Sequence, residues 1–409
     1  MSDKTETFII RHFKKYYVTE KIEVPERLSR REFGFMFFDK TFVIRHIGFT
    51  SRQDLKSYLA ENVPSHVYYS SAYYKHPNAQ KMADKEWMGA DLIFDLDADH
   101  VRGIEGMSYP QMLQRVKQEI MRLHDEFITG DLGFDSKHVK IVFSGGRGYH
   151  VHVTDPRVLS LGSHERREIV DYITGTELNF DWVFPSEPFD AKKFAERVYT
   201  IRRKRMPSTD SGGWKGRMSS GIRKFLSDME VMGEKEAVKR FSSMKEEGTN
   251  RSIGEKTIKE MYHELFGKRK DGKRGSERII DESNFEIFSR QPYLTAFLQL
   301  VESHVKVALV GETDEPVTSD IRRLIRLPSS LHGKTGLRVT CISREELNDF
   351  DPLRDAVPAM LTDRAVKMKL KEKIDIELRG ERIALSDGEN EVPEFFALFL
   401  ACRKTAEIV

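Results

Sequence analysis

The stretch Asp91-Leu92-Ile93-Phe94-Asp95-Leu96-Asp97 is the most informative part of the sequence. Alternate side chains of a β-strand point to opposite faces, so the three apolar residues at 92, 94 and 96 can enter a core together. Asp95 and Asp97 share the other face, about 7 Å apart at Cα. Neighbouring carboxylates resist joint ionisation unless a cation lies between them, and their hard oxygens suit Mg²⁺ or Mn²⁺. A solvent-facing strand edge is the alternative, although Asp is depleted in strands.

A glycine-rich turn follows, Ser144-Gly145-Gly146-Arg147-Gly148-Tyr149-His150. Its glycines let the backbone approach a ligand closely, and successive N–H groups in such a turn can form an anion nest. Arg147 adds a planar fork for phosphate oxygens. The Gly-Lys-Ser/Thr ending of a Walker loop is missing. A plain tight turn is the alternative, but an Arg and a His beside the glycines favour phosphate binding.

A basic stretch lies nearer the C-terminus, after the polar turn that contains Asp314. We predict a helix from Val317 to Leu327, which must end near Pro328. Arg322 and Arg326 would then lie one helical turn apart and could bind the same anion. His332 and Lys334 follow among serines and glycines, a composition that suits a phosphate-lined cleft. A solvated basic face is the alternative.

The remaining pattern predicts an α/β (α+β) protein with mixed sheets flanked by helices. Residues 193–290 are rich in Lys, Arg, Glu and Met and are predicted to form a mostly helical, basic insertion in a body made of residues 1–192 and 291–409. The predicted elements are a hairpin across Phe33–Phe37 and Phe42–Ile44, helices at Ser108–Gly130 and Val392–Lys404, and strands at Ala90–Asp97, Val139–Phe143, Tyr149–Val153, Val305–Val310 and Leu337–Ile342.

Composition excludes several classes of protein. The 409 residues are 39% hydrophobic and 32% charged, which argues against global disorder. Lys and Arg number 67 against 65 Asp and Glu, so any basic site must be local. Two cysteines are too few for a disulfide scaffold or a Cys-rich zinc module, and they favour a reducing, intracellular compartment. The N-terminus lacks a signal-peptide core, and the longest apolar run, Phe395–Cys402, is too short to span a bilayer.

Taken together, the motifs resemble the catalytic small subunit of the archaeal-eukaryotic type DNA primases. The order matches that family: Asp-x-Asp on a strand, then Ser-Gly-Gly-Arg-Gly-x-His, then a third Asp ahead of Pro-x-Ser-Leu-His-Gly-Lys-Thr-Gly. The segments Arg31-Glu32-Phe33-Gly34-Phe35, Ile44-Arg45 and Val392-Pro393-Glu394 also resemble family positions. The resemblance therefore covers nearly the whole chain.

The resemblance implies roles for individual residues. Asp95, Asp97 and Asp314 match the aspartates that hold two catalytic Mg²⁺ or Mn²⁺ ions, with Asp320 as the alternative to Asp314. Many relatives carry a zinc-binding Cys/His cluster soon after the second Asp, but this chain has no cysteine there, so we predict no zinc. The residues that match contacts to the incoming nucleotide and its triphosphate are Ser144, Arg147, His150, Arg326 and His332.

The resemblance also implies an activity and partners. The enzyme would be a nucleotidyltransferase, a DNA-directed RNA polymerase of the primase type. It would use NTPs or dNTPs to make short primers on single-stranded DNA. The primers would be RNA, and possible DNA primers are an open alternative. The work would take place at replication forks in the cytoplasm. A large primase subunit carrying an iron–sulfur cluster would complete a heterodimer, with no membrane involved. Template binding is predicted at Arg202, Arg203, Lys204 and Arg205, with Trp214 able to stack on a base; a solvated surface is equally compatible with that stretch.

Three other functions fit part of the pattern. A repair polymerase of the primase-polymerase superfamily would share the aspartates and extend broken ends. A non-catalytic nucleic-acid-binding subunit would keep the fold, although all three aspartates are present. A small-molecule phosphotransferase would not explain the basic stretch after residue 202.

Overall fold

The computed structural model describes residues 2–194, 197–243 and 252–409, without the side chains of residues 100, 189–194 and 197–203. The backbone divides into two compact units, one formed by residues up to Ile173 together with Glu312–Val409 and the other by Thr174–Gly311. The predicted insertion, residues 193–290, lies inside the second unit, which extends further at both ends. The mixed α/β class predicted from the sequence is confirmed.

The strands form several small sheets. In chain order they are β1 (Phe33–Met36), β2 (Ile44–Ile47), β3 (His66–Ser70), β4 (Ala72–Tyr74), β5 (Trp87–Ala90), β6 (Leu92–Asp97), β7 (Val139–Phe143), β8 (Gly148–Val153), β9 (Ser186–Phe194), β10 (Arg197–Lys204), β11 (Leu324–Arg326), β12 (Thr340–Ile342), β13 (Ala365–Leu370), β14 (Ile374–Leu378), β15 (Glu381–Leu385), β16 (Gly388–Pro393) and β17 (Ala406–Ile408).

The helices flank these sheets and make up most of the second unit. In chain order they are α1 (Asp3–Thr19), α2 (Arg52–Asn62), α3 (Tyr109–Arg122), α4 (Ser163–Thr174), α5 (Phe180–Val183), α6 (Gly213–Met232), α7 (Glu234–Ser242), α8 (Glu255–Phe266), α9 (Gly275–Glu282), α10 (Gln291–Leu300), α11 (Val307–Leu309), α12 (Glu315–Ser319), α13 (Arg344–Leu347), α14 (Pro352–Asp355) and α15 (Glu394–Cys402).

The carboxylate strand β6 is at one edge of an antiparallel sheet with the order β12-β7-β8-β6. Its side chains alternate as the sequence predicts: Leu92, Phe94 and Leu96 are fully buried, and the two aspartates are partly exposed. Helix α3 packs on the sheet, begins with a capping box between Ser108 and Gln111, and continues as a π-helix over Leu123–Asp131. The buried apolar face therefore holds β6 in place on the sheet.

Two buried arginines hold the residues just before β6. Arg166 of α4 donates hydrogen bonds to the carbonyls of Ala90 and Asp91, each at 2.8 Å. Arg31 donates to the Asp91 carboxylate at 2.6 Å, and both partners of this ion pair are almost completely buried. Such a pair requires every remaining hydrogen-bonding group to be satisfied. Arg31 meets that requirement through further donors to the carbonyls of Ser70 and Ser71.

A second antiparallel sheet, with the order β11-β3-β1-β2, carries the predicted N-terminal hairpin at its β2 edge. The Tyr69 hydroxyl lies 3.3 Å from His152 Nδ1, which joins the second sheet to the first. β11 places Arg326 opposite Tyr68 of β3. Near the C-terminus, α15 is almost entirely buried and packs beside the sheet β16-β13-β17.

Two predicted elements are wrong. Val305–Val310 is not a strand: a π-helical stretch, Val301–Lys306, continues α10 and leads into α11. Val317–Leu327 is not one helix: α12 ends at Ser319 and the chain re-enters a sheet as β11. Arg322 and Arg326 are therefore not one helical turn apart, and only Arg326 lies on β11.

The second unit is mostly helical, but after α5 it contains a hairpin that the sequence prediction missed. β9 and β10 pair as an antiparallel hairpin, and β10 with the end of β9 lies where a helical segment is expected. Helices α6 to α10 follow, with a buried face on α6 that includes Met218, Ile222 and Leu226.

Candidate active site

A cavity of about 530 Å³ lies within the first unit and is lined by both carboxylates of β6. Asp95 pairs with His150 across the β6–β8 ladder, and Asp97 pairs with Gly148. Directly opposite residues of an antiparallel pair share a face, so His150 lies beside Asp95, with 3.3 Å between Nε2 and Oδ1. The predicted site residues that also line this cavity are Ser144, Arg147, Arg326 and His332.

The electrostatics of the carboxylate pair suit a cation. Burial and the neighbouring Asp95 carboxylate raise the pKa of Asp97 above its usual value. Asp97 Oδ1 also accepts a hydrogen bond from the Ala98 N–H at 2.7 Å, which fixes the rotamer of its side chain. Burial lowers the pKa of His150, although Asp95 acts in the opposite direction. The strand thus places two partly buried carboxylates on one face.

Asp314 comes to the same strand through its backbone. Its N–H donates to the Asp95 carbonyl at 2.9 Å, just before α12 begins. Asp320 lies at the other end of α12, where its carboxylate accepts from the Arg322 N–H at 2.8 Å. Across the described ranges, no group of three or more His, Cys, Asp or Glu side chains is arranged to hold a metal ion. The assignment of three aspartates to the metals stays a prediction.

Ser144 organises the glycine-rich turn between β7 and β8. Its buried hydroxyl oxygen accepts from the N–H groups of Gly146 and Gly148, at 3.4 and 3.3 Å. Gly145 has φ +78°, and a Cβ there would lie 2.7 Å from His332 Cβ. Only glycine fits that combination of backbone angle and close approach. The turn is therefore packed directly against the His332 segment.

The two predicted phosphate-binding arginines already have partners. Arg147 donates to the Asp99 carboxylate at 2.5 Å, and both side chains are exposed. Arg326 donates to His66 Nδ1 at 2.8 Å, and its guanidinium lies 5.2 Å from the Tyr68 ring centroid. Because arginine can only donate, His66 accepts at Nδ1 and is neutral. Burial and the charge of Arg326 accordingly lower the pKa of His66 to about 3.

His332 is held in one orientation by Thr335. The Thr335 hydroxyl donates to the Gly145 carbonyl at 2.5 Å and lies 3.2 Å from His332 Nδ1. Since its only proton goes to Gly145, the hydroxyl accepts from His332 Nδ1–H. Burial and the positive charges of Arg326, Lys334 and Arg147 hold the pKa of His332 well below its usual value. The ring is therefore neutral, with Nε2 close to Gly146.

Comparison with known proteins places the chain in a family. The sequence model of the DNA primase small subunit matches residues 94–344, which include every predicted metal and nucleotide residue. DNA primase small subunits PriS are similar along the whole chain. Those of Methanococcoides burtonii and Methanocella arvoryzae are 41% identical, and that of Methanothrix thermoacetophila is 40% identical. Each alignment covers 100% of this chain and 99–100% of the relative.

The chain belongs to the DNA primase small subunit family. Its cavity combines the Asp-x-Asp strand and the Ser-Gly-Gly-Arg-Gly turn that prompted the predicted resemblance. None of the described helices is both long and apolar enough to cross a membrane.

The cavity also contains residues that the sequence prediction did not assign. Thr335 comes from the motif that supplies His332, beside Lys334, which the sequence already associates with a phosphate-lined cleft. Cys402, Arg403 and Lys404 come from the end of α15. For these, the only local signal was a pair of basic residues directly after an apolar helix.

The predicted template-binding stretch lies in the second unit and is only partly described. The side chains of Arg202 and Arg203 lie outside the described residues. Lys204 pairs with Asp181 at 2.7 Å, and Arg205 pairs with Glu187 at 3.0 Å. Trp214 is 1% exposed, so the prediction that it stacks on a base is wrong. Trp214 lies in the first turn of α6, and its ring packs beside Gly175, where a Cβ would lie 3.1 Å from it.

Proposed function

We propose that this chain is the catalytic small subunit of a DNA primase, a nucleotidyltransferase that makes short primers on single-stranded DNA. The observation that supports this most directly is one cavity lined by Asp95 and Asp97 on one strand and by Arg147, Arg326 and His332 from two other segments. Paired carboxylates beside clustered cations suit phosphoryl chemistry on a nucleoside triphosphate.

In the proposed reaction, the 3′-hydroxyl oxygen of a primer attacks the α-phosphorus of the incoming nucleotide. A new P–O ester bond forms, the bond between the α- and β-phosphates breaks, and pyrophosphate and a proton leave. The chain must bind the triphosphate, hold it in line with the hydroxyl and neutralise its charge. Ser144 shapes the turn that faces the phosphates, Arg147 and Arg326 supply donors and positive charge, and His332 lines the same cavity as a neutral ring.

The oxygen atoms of these carboxylates are suitable ligands for divalent cations. Burial and the neighbouring Asp95 carboxylate raise the pKa of Asp97, and a cation between the two carboxylates would relieve their repulsion. Asp95, Asp97 and Asp314 would hold Mg²⁺ or Mn²⁺. When bound, the ions supply charge stabilisation for the attacking and leaving oxygens. His150 Nε2 lies 3.3 Å from Asp95 Oδ1, so the two side chains line the cavity side by side.

Template binding is proposed at Arg202, Arg203, Lys204 and Arg205. A phosphate backbone would replace Asp181 and Glu187 as partners of the last two cations. For single strands, the logarithm of affinity falls with the logarithm of salt concentration by about 0.7 per neutralised phosphate. A Lys204→Gln/Arg205→Gln chain should therefore lose about 1.4 from the slope. An unchanged slope in oligo(dT) titrations would place the template elsewhere.

A large primase subunit is the proposed partner, in a heterodimer that works at replication forks in the cytoplasm. The family to which the chain belongs is named for a small subunit, which supports a larger companion. Co-purification of the two subunits, with unprimed synthesis measured with and without the large one, tests this proposal.

The main test is incorporation of labelled nucleotide by the full chain on unprimed single-stranded DNA, with Mg²⁺ and with Mn²⁺. Asp95→Asn should abolish incorporation, whereas Asp387→Asn, an exposed acid outside the cavity, should retain it. Asp314→Asn and Asp320→Asn separate the two choices for the third aspartate. Extension of primed ends without initiation, even with the large subunit, would favour a repair polymerase. No incorporation under any condition would favour a non-catalytic subunit.

A further inference from the structure

The turn after α15 forms part of the wall of the catalytic cavity. Arg403 and Lys404 line it from there, although they come from the last residues of the chain. The turn is well defined: Lys404 has φ +63°, its N–H donates to the Ala401 carbonyl at 3.0 Å, and the Thr405 N–H donates to the Leu400 carbonyl at 3.2 Å. The two basic side chains thus project from a fixed backbone.

Arg403 is also connected to the glycine-rich turn. Its guanidinium lies 4.4 Å from the ring centroid of Tyr109 and 5.4 Å from that of Phe399. The Tyr109 hydroxyl donates to the Gly146 carbonyl at 2.6 Å. The end of α15 is therefore braced, through one aromatic ring, against the turn that carries Ser144 and Arg147.

The cations of the cavity differ in whether they are already paired. Arg147 is paired with Asp99, and Arg326 donates to His66. Within the part of the chain that the structure describes, Lys334, Arg403 and Lys404 line the cavity without an acidic partner. Unpaired cations around a cavity are where an anionic ligand gains most, because no existing ion pair has to be broken.

We propose that Arg403 and Lys404 bind the β- and γ-phosphates of the incoming nucleoside triphosphate. This assignment rests on the proposed function of the cavity. The α-phosphate must lie at Asp95 and Asp97, where the new bond forms, so the terminal phosphates extend to another wall. Arg403 presents a planar fork and Lys404 a compact charge, which together suit oxygens on adjacent phosphates.

A purely structural role for these residues makes a different prediction. Basic residues at a helix C-terminus stabilise the helix by interacting with its last carbonyls. If that were their whole role, removing the charges would lower thermal stability and leave ligand affinity unchanged. Binding of the phosphates would instead change affinity in proportion to the number of phosphates on the ligand.

The experiment measures binding by calorimetry with the full chain, without turnover. The probes are inorganic tripolyphosphate, a nucleoside triphosphate and the matching monophosphate. Lys404→Asn keeps a residue that tolerates positive φ, and Arg403→Gln keeps a long side chain over Tyr109. Arg403→Lys retains the charge. Matched controls are Lys369→Asn and Arg364→Gln, exposed cations on and beside β13 that do not line the cavity.

Each cavity variant should weaken tripolyphosphate and triphosphate binding roughly 3- to 30-fold, and the monophosphate by less than about 2-fold. Arg403→Lys should stay within about 3-fold of the unmodified chain. Affinities equal to those of the controls would overturn the proposal, as would equal weakening of all three probes. A folded Arg403→Lys chain that binds as weakly as Arg403→Gln would overturn the role of its charge.

These outcomes separate the inference from the proposed function. If the unmodified chain incorporates no nucleotide while tripolyphosphate affinity still falls in both variants, the catalytic proposal fails and the phosphate site stands. If incorporation is normal and tripolyphosphate affinity is unaffected, the catalytic proposal stands and the phosphate site fails.

Discussion

Replacing Asp97 with asparagine should stabilise the metal-free protein while removing its activity. The asparagine Oδ1 can still accept from the Ala98 N–H, so the local cap is kept and only the charge is lost. Residues two apart on a strand are about 6.6 Å apart at Cα. At that distance two unit charges repel by about 0.6 kcal/mol in water and about 2.5 kcal/mol at an effective dielectric constant of 20. Because Asp97 is partly buried beside Asp95, we expect a gain of about 1 kcal/mol.

Divalent metal should reverse that order of stability. A cation held by both carboxylates stabilises the unmodified chain by about 2.7 kcal/mol at 100 times its dissociation constant, and an Asp97→Asn chain gains much less. Urea unfolding, followed by circular dichroism in EDTA and again in Mg²⁺, measures both effects. Asp387→Asn is the charge control and should show neither. An Asp97→Asn chain that is less stable than the unmodified chain in EDTA would refute the reasoning. Equal stabilisation of these two chains by Mg²⁺ would also refute it.

Three further predictions concern the scaffold around the site. Gly148→Ala places a Cβ 2.6 Å from the Leu96 carbonyl oxygen, so urea unfolding should show a loss of about 1–3 kcal/mol together with reduced incorporation. Asp91→Ala leaves the Arg31 charge buried without its carboxylate partner and should cost about 3–5 kcal/mol in the same assay. Between pH 6.5 and about 3 the unfolded chain protonates His66 while the folded chain does not, so stability should fall as pH falls, by about 2 kcal/mol from this group between pH 6.5 and 5.

Each of these predictions has a distinct control. Gly212→Ala adds a Cβ that meets no atom within 4 Å, and a loss equal to that of Gly148→Ala would contradict the steric argument. A combined Arg31→Met/Asp91→Leu chain should recover much of the loss, and no recovery would mean that packing dominates. A His66→Asn chain should lose about 2 kcal/mol less than the unmodified chain over the same pH interval. Identical pH profiles would count against a neutral, buried His66.

The carboxylate strand and its neighbours could be predicted because their pattern is local. Apolar residues alternate with aspartates along β6, and one face must be buried whatever surrounds it. The glycines at 145 and 148 are needed for positive φ or close backbone approach, which a sequence motif can also signal. These features fix the strand and the turn without knowledge of the rest of the fold.

The two wrongly predicted elements lie where tertiary packing or turn formation, and not local propensity, determines the secondary structure. Val305 and its neighbours have high strand propensity, but they continue a helix that already buries Val301. After α12, Asp320 accepts from the Arg322 N–H through its side chain and from the Arg323 N–H through its carbonyl, which makes a turn where a helix was predicted.

The sequence prediction missed the part of the cavity wall that comes from residues 402–404, because these residues are far in sequence from the rest of the site. Arg403 and Lys404 follow α15, which is buried and lies beside Gly336, where a Cβ would lie 3.1 Å from Leu398. No local pattern near residue 403 indicates which segment it will face. The pairing of Arg147 with Asp99 is likewise invisible in the motif that contains the arginine.

The most direct measurement of the central claim is anomalous scattering from crystals of the full chain grown with Mn²⁺ and a non-hydrolysable nucleoside triphosphate. We predict Mn²⁺ peaks about 2.0–2.2 Å from carboxylate oxygens of Asp95 and Asp97, with the triphosphate against Arg147, Arg326 and His332. Mn²⁺ bound elsewhere, with both carboxylates free and the nucleotide outside this cavity, would contradict the account.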